Sequence, residues 1–205
     1  MADAAFWDSR YVGAPYAYGE APNAFLASQT FVPGGRALVP GDGEGRNGVF
    51  LAERGLKVET LDLSAEGVAK ARRLASARGV ALDARQADVL TWDWPVAAYD
   101  VIALIYLHLA EPGRRLLHAR ALAALKPGGR IVLEAFTPAH LAKQAAGAKG
   151  GPREAGLLYS AADLREDFAG AEMQLLEEIE TELHEGALHV GPSAVVRMVA
   201  RKPKT

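Results

Sequence analysis

The run Ala37-Leu38-Val39-Pro40-Gly41-Asp42-Gly43-Glu44-Gly45-Arg46-Asn47-Gly48 most constrains this chain. A short apolar strand meets a glycine-rich turn, and a helical pattern carried by Val49, Phe50, Ala52 and Glu53 follows at once. Glycines let the backbone approach a ligand closely, and the free N–H groups of a new helix attract anionic or polar ligand ends. Strand, turn and helix together read as a cradle for a small-molecule cofactor.

The rest of the chain alternates short β-rich runs with longer helical patterns, the mark of an α/β fold with a mainly parallel sheet. Strands are expected at Arg36 to Pro40, Lys57 to Leu61, Ala81 to Ala87, Asp100 to Ile105 and Arg130 to Ala135. A helix from Ala65 to Arg78 has Ser64 as its N-cap and Val68, Ala71, Leu74 and Ala75 on one face. Leu117, Ala121, Leu122 and Leu125 form a second stripe, stopped by Lys126-Pro127-Gly128-Gly129. Beyond Ala135, Thr137 to Gly151 reads as a loop or weak helix. Ser160 and Asp163 form a capping box for a short helix ending at Phe168. Met173 to Leu183 and Ser193 to Arg201 then read as two antiparallel strands, with turn-prone Glu185-Gly186 and Gly191-Pro192 between them.

At 205 residues the chain fits one domain, residues 1–205, with four expected parts. These are an N-terminal aromatic arm or lid (1–31), a cofactor-binding core (36–135), a substrate-side loop (137–160) and the C-terminal hairpin (173–201). The arm holds Phe6, Trp7, Tyr11, Tyr16, Tyr18, Phe25 and Phe31, in a chain with only 3 Trp, 6 Tyr and 6 Phe. Aromatics gathered ahead of the first strand suggest a cover for a sheet edge or a ligand. Plain packing of an amphipathic helix accounts equally well for any single one.

A net charge of −2 leaves no electrostatic footprint for nucleic acid or an anionic membrane. The absence of cysteine excludes disulfides, thiolate metal sites and a cysteine nucleophile. Met1 to Asp8 has neither the basic nor the apolar region of a secretory signal, and no apolar run reaches the ~18 residues of a membrane span. The expectation is a soluble, cytoplasmic protein, monomeric or weakly dimeric.

Gly43-x-Gly45-x-x-Gly48 fits the dinucleotide fingerprint, and Asp62 closes the second strand 19 residues after Gly43. A carboxylate there would accept both ribose hydroxyls of an adenosine, which suits NAD and S-adenosylmethionine alike; capping the next helix is its bland alternative. Three further features separate the two cofactors: Asp88 at the end of the third strand, the Pro-Gly-Gly turn before the fifth, and a terminal hairpin in place of a substrate domain.

With these residues in order, the sequence resembles the class I S-adenosylmethionine-dependent methyltransferases over nearly its whole length. Trp7-Asp8-Ser9-Arg10-Tyr11, Tyr18-Gly19-Glu20-Ala21-Pro22-Asn23 and Gly43-Glu44-Gly45-Arg46-Asn47 resemble the tellurite-resistance and thiopurine-methyltransferase-like branch. The resemblance implies a Rossmann-like, doubly wound seven-stranded sheet, mostly parallel, with an antiparallel C-terminal hairpin strand. It also implies that Gly41, Gly43 and Gly45 pass beside the methionine part of the cofactor, with Asp42, a substitute for the acid missing at Val39, and Asn47 among the cofactor-binding residues. Asp62 would take the ribose, Leu63 the adenine, Asp88 and Val89 the adenine amino group, and Ile105 with Tyr106 the sulfonium region. Val39 departs from the pattern, standing where the family carries an acid that helps to hold the cofactor's ammonium group.

For the acceptor side, His108, Glu134, Tyr159 and His184 are the catalytic candidates, each with a structural alternative. His184 with His189 reads as a polar hairpin rather than a metal pair, so no metal is expected. Ala103-Leu104-Ile105-Tyr106 lacks the Asn/Asp-Pro-Pro-Tyr signature for nucleobase and glutamine amino groups, which with the charge points to a small-molecule methyl acceptor. A nicotinamide-dependent oxidoreductase is the competing reading, although no Tyr is followed four positions later by Lys. A non-catalytic adenosine-cofactor-binding module is the third, motivated by Val39.

Overall fold

A computed structural model describes residues 3–13 and 15–204; Met1, Ala2 and Ala14 of the N-terminal arm, and Thr205, lie outside the described residues. Seven strands form one sheet: β1 (Arg36–Pro40), β2 (Lys57–Asp62), β3 (Asp83–Gln86), β4 (Tyr99–Ile105), β5 (Leu125–Phe136), β6 (Glu172–Glu185) and β7 (His189–Arg201). Their order is β3-β2-β1-β4-β5-β7-β6. The first five pair in parallel, while β7 runs antiparallel between β5 and β6. This is the expected Rossmann-like, mostly parallel seven-stranded sheet.

The helices are α1 (Ala4–Tyr11), α2 (Ala24–Ala27), α3 (Arg46–Glu53), α4 (Ala65–Ala77), α5 (Glu111–Ala124), α6 (His140–Ala145) and α7 (Ala161–Asp167). The central strands read as unbroken apolar runs because both sheet faces are covered. Leu38, Ile102, Leu104, Ile131 and Leu133 pack against Leu117 and Ala121 of α5 and Leu164 of α7. Their neighbours Ala37, Val39, Val101, Ala103 and Val132 pack against Phe25 and Leu26 of α2 and Phe50 and Leu51 of α3. Each such large side chain, once fully buried, contributes roughly 1.5–3 kcal/mol. Val39 therefore belongs to a dry layer, which accounts for an apolar residue at that position.

Capping follows the local sequence. The Ser64 hydroxyl accepts the Gly67 N–H at 3.0 Å to open α4, and Ser160 and Asp163 complete the capping box of α7. Gly45 caps α3 at φ +91°, and a side chain there would press a Cβ to 2.5 Å from the Cβ of Ala71. That contact lets α3 and α4 cross closely.

Two boundaries differ from the sequence reading. The chain leaves α5 after Ala124 and runs extended from Leu125, so Lys126 to Gly129 forms an excursion inside β5 rather than a helix end. Tyr99 faces Leu125 and Val101 faces Arg130, with Gly128 at φ +79° taking up the extra residues. In the hairpin, residues 186–188 make the turn, while Gly191 and Pro192 stay in β7 opposite Leu183 and Glu182. β7 pairs with β5 only from Val195 onward, so at Pro192 one side of the strand is unpaired and tolerates a proline that cannot donate to the ladder.

Candidate active site

In open α/β sheets, ligands bind beyond the carboxyl ends of the strands, where the strand order reverses. Here β1 and β4 are neighbours whose following connections depart in opposite directions. A cavity of about 650 Å³ lies there, of a size suited to a cofactor or small ligand. Gly41, Asp62, Leu63, Asp88, Val89, Leu107 and His108 form its floor. Phe6, Trp7, Arg10 and Tyr11 of α1, with Tyr18, form one wall, and residues 151–154 with Leu157 another.

Asp62 is set by its surroundings. Its Oδ2 accepts the Gly43 N–H at 2.7 Å and its Oδ1 the Ser64 N–H at 2.9 Å, so one carboxylate ties the glycine turn to the cap of α4. Burial pushes its pKa up, while those backbone bonds hold it down. Asp88 caps its own turn by accepting the Leu90 N–H at 2.8 Å. Gly41, at φ +67°, leaves no room for a side chain, since a Cβ would stand 2.8 Å from Leu107 Cδ1.

The arm is fastened over this floor. Asp8 accepts bonds from the Ser64 hydroxyl and the Glu66 N–H, and the Ser64 hydroxyl holds its carboxyl below the ordinary range. Tyr11 stacks on Trp7 with ring centroids 5.8 Å apart. Its hydroxyl lies where a Cβ on Gly43 would be, at 2.6 Å. The small glycine thus serves the arm as well as the turn.

The other residues named from sequence sit deeper or elsewhere. Asn47 Oδ1 accepts the Asn23 N–H at 2.9 Å, linking α3 to the arm. Ile105 packs in the apolar layer, and Tyr106, at φ +53°, donates to Glu134 Oε1 at 2.6 Å while stacking on Phe136. Asp42 turns away from the cavity, toward the first turn of α3, and accepts the Gly48 N–H at 3.0 Å through Oδ2. Its buried Oδ1 has no partner among the described residues, and burial pushes its pKa up to about 7.

This predicts a pH-dependent gain. A carboxyl that is harder to ionise folded than unfolded contributes its stability below pH ~4 and loses it as pH rises through 7. Asp42→Asn keeps an oxygen for Gly48 without the buried charge. We expect it to exceed the native chain by up to about 4 kcal/mol at pH 8, with the gap closing by pH 4 in urea titrations.

His108 is committed on both sides: Nδ1 donates to the Leu157 carbonyl at 2.7 Å and Nε2 accepts the Phe136 N–H at 3.3 Å. Burial lowers its pKa to about 4, so it stays neutral. Tyr159 is likewise engaged, donating to the Leu107 carbonyl at 3.0 Å and accepting the Leu109 N–H at 2.7 Å. Both side chains thus brace the cavity wall. His184 is exposed on β6 opposite Val190 and does not line the cavity.

His189, by contrast, is buried at the cavity's edge, framed by Tyr18, Tyr106 and Phe136. Its Nδ1 lies 3.2 Å from Glu185 Oε2, which also accepts from Arg46 at 2.7 Å. Burial alone would raise Glu185, yet the bonds from His189 and Arg46 prevail and hold its carboxyl at about 2. Asn23 Nδ2 joins Glu185 (3.0 Å) to Glu134 (2.7 Å), and Arg197 pairs with Glu134. The sequence signals for His189 were its place in the hairpin and its partner Glu185 four residues earlier. Among the described residues no group of three or more His, Asp or Glu side chains is arranged to hold a metal ion, and no helix is long and apolar enough to cross a membrane.

Residues 37–129 match the family model of a methyltransferase domain. The ribosomal RNA small subunit methyltransferase C of Chromohalobacter salexigens is 39% identical over 117 residues, covering 51% of this chain and 33% of that protein. The chain therefore spans about a third of the length of this curated relative. Among solved structures, one from work on conversion of a disulfide bond into a thioacetal group during echinomycin biosynthesis aligns with TM-score 0.78 at 21% identity, over 98% of this chain and 93% of that one. TehB from Haemophilus influenzae aligns with TM-score 0.67 at 18% identity, over 82% and 58%. Magnesium protoporphyrin IX methyltransferase from Synechocystis PCC 6803, with S-adenosylhomocysteine bound, aligns at 0.63 and 19%, over 83% and 75%.

Proposed function

We infer that this chain, which carries a class I S-adenosylmethionine-dependent methyltransferase domain, moves the donor's methyl group to a small-molecule acceptor bound beneath its N-terminal arm. The observation that carries the reading is the shared cavity of Gly41, Asp62 and Asp88 under a wall of α1 aromatics. A covered chamber favours a small acceptor over a polymer. The ribosomal RNA relative motivates the alternative, an RNA acceptor.

The residues present fit the methyl donor. Asp62 is the acceptor for the ribose hydroxyls, Asp88 for the adenine amino group, and Leu63 and Val89 offer apolar sides to the ring. Gly41 lets the methionine portion lie against the backbone. The donor, when bound, supplies a methyl on sulfonium that is open to in-line displacement. The protein's work is alignment and exclusion of water, worth ~7–11 kcal/mol in well-oriented systems. The arm, pinned through Asp8 to the cap of α4, does the covering.

A neutral hydroxyl or amine acceptor also needs a group to take its proton. His189 is that group. Glu185 accepts from Nδ1 and so leaves the Nε2 lone pair free to receive a proton, and burial, partly opposed by Glu185, lowers the imidazole's pKa and keeps it neutral.

Titration calorimetry with S-adenosylhomocysteine, followed by a labelled-methyl assay over thiols, phenols, amines and RNA, tests the reading. No binding at high micromolar concentration would refute it, and transfer to RNA alone would move the acceptor to the alternative. For the small acceptor so found, His189→Gln should lower kcat by roughly 10²–10⁴-fold and flatten its rise with pH, with S-adenosylhomocysteine affinity retained. Unchanged kcat would remove His189 from the chemistry.

A further inference from the structure

A second chamber of about 210 Å³ opens beside the main cavity and shares Arg10, Tyr18, Gly151, Arg153 and His189 with it. Its wall carries Arg10, Lys149 and Arg153, and no carboxylate lines it. Among the described residues none of the three cations lies within 4 Å of an acidic oxygen. All three reach solvent, whereas the buried cations of the fold are each paired: Arg46 with Glu185, Lys70 with Glu44, Arg114 with Asp163 and Asp167.

The cations are also positioned. Lys149 exchanges both backbone bonds with Val190 of β7, at 2.9 and 3.0 Å. Gln144 Nε2 donates to the Gly150 carbonyl at 2.6 Å and fixes the turn leading to Arg153. Arg10 lies over the Phe6 and Trp7 rings and donates to the Tyr18 hydroxyl at 3.0 Å. Glu154, next to Arg153, lines the main cavity but not this chamber, and Glu185 stands behind His189 and is already paired with Arg46. Like charges gathered around a concavity repel one another, and an anion relieves the repulsion.

We propose that this side chamber is an anion subsite for the acceptor, binding a carboxylate or phosphate group of a small organic molecule while its nucleophilic atom lies beside His189. The assignment rests on the methyltransferase reading for its role, but the anion site itself is read from the cations alone. An acceptor so held would carry its negative charge at a distance from the atom that is methylated. A chamber of this volume has room for one such group.

Benzoate, inorganic phosphate, neutral benzyl alcohol and a short single-stranded RNA are titrated by calorimetry into the protein with and without S-adenosylhomocysteine. We expect benzoate or phosphate to bind at least tenfold more tightly than benzyl alcohol. The variant Lys149→Ala, whose side chain lines the side chamber and not the main cavity, should cut that preference at least threefold while S-adenosylhomocysteine affinity stays within about twofold, and a thermal melt checks that it folds. Equal binding of benzoate and benzyl alcohol, or an unchanged preference in Lys149→Ala, would overturn the subsite. RNA binding far above either small anion would overturn the small-molecule assignment. Loss of S-adenosylhomocysteine binding in the native chain would count against the methyltransferase reading, with the anion titration still deciding the subsite.

Discussion

Replacing Asp62 by alanine is expected to weaken S-adenosylhomocysteine binding by ~100-fold or more. Hydrogen bonds to a charged acceptor contribute roughly 1.5–3 kcal/mol each, and a ribose presents two hydroxyls. The same carboxylate accepts the N–H groups of Gly43 and Ser64, so its loss also frees the glycine turn from the cap of α4. Asp62→Asn separates the two contributions. It keeps the shape and one acceptor oxygen, and should cost about tenfold. Calorimetry reads both; an unchanged affinity in Asp62→Ala would take Asp62 out of the binding site.

Arg46→Met is expected to cost about 3–5 kcal/mol of folding stability at pH 7, the usual penalty for stranding one member of a buried ion pair. Arg46 and Glu185 meet at 2.7 Å with side chains 7% and 9% exposed, so water offers Glu185 little compensation. Glu185 ionises more readily folded than unfolded, with a carboxyl at about 2 against an ordinary 4.5. Its contribution is therefore complete above pH ~4.5 and lost as pH falls toward 2. Urea unfolding at pH 7 and at pH 3 should show the penalty of Arg46→Met shrinking in acid. Adding Glu185→Gln to Arg46→Met should restore most of the stability at pH 7, because no lone charge then remains. An additive double variant would mean that the two side chains are not coupled. The pair also holds His189 in place, so Arg46→Met should lower turnover as well as stability.

Much of the frame was legible locally. Strands β1, β2 and β4 announce themselves as apolar runs, and α4 through its Ser64 cap and the stripe Val68, Ala71, Leu74, Ala75. Asp62 was legible because the distance from a glycine turn to the end of the next strand is set by one helix. The excursion at Lys126 to Gly129 was misread because a lysine, a proline and two glycines stop a helix and bend a strand with equal ease. The histidines were harder. Nothing in the sequence near His108 reveals that Leu157 and the Phe136 N–H occupy both its nitrogens, or that His189 faces the cavity while His184 faces out.

The sequence by itself thus determined the layered α/β sheet, the glycine turn and the acid at the end of β2, since each depends on residues close in the chain and on backbone periodicity. Only the tertiary structure decided the rest. Asn23 reaches Glu134 across 111 residues and Glu185 across 162, joining arm, sheet and hairpin in one buried network. The covering of the floor by α1 and the gathering of Arg10, Lys149 and Arg153 are likewise products of long-range packing. Such contacts follow from how the hydrophobic layers seat the elements against one another, and no local pattern encodes which polar groups then meet.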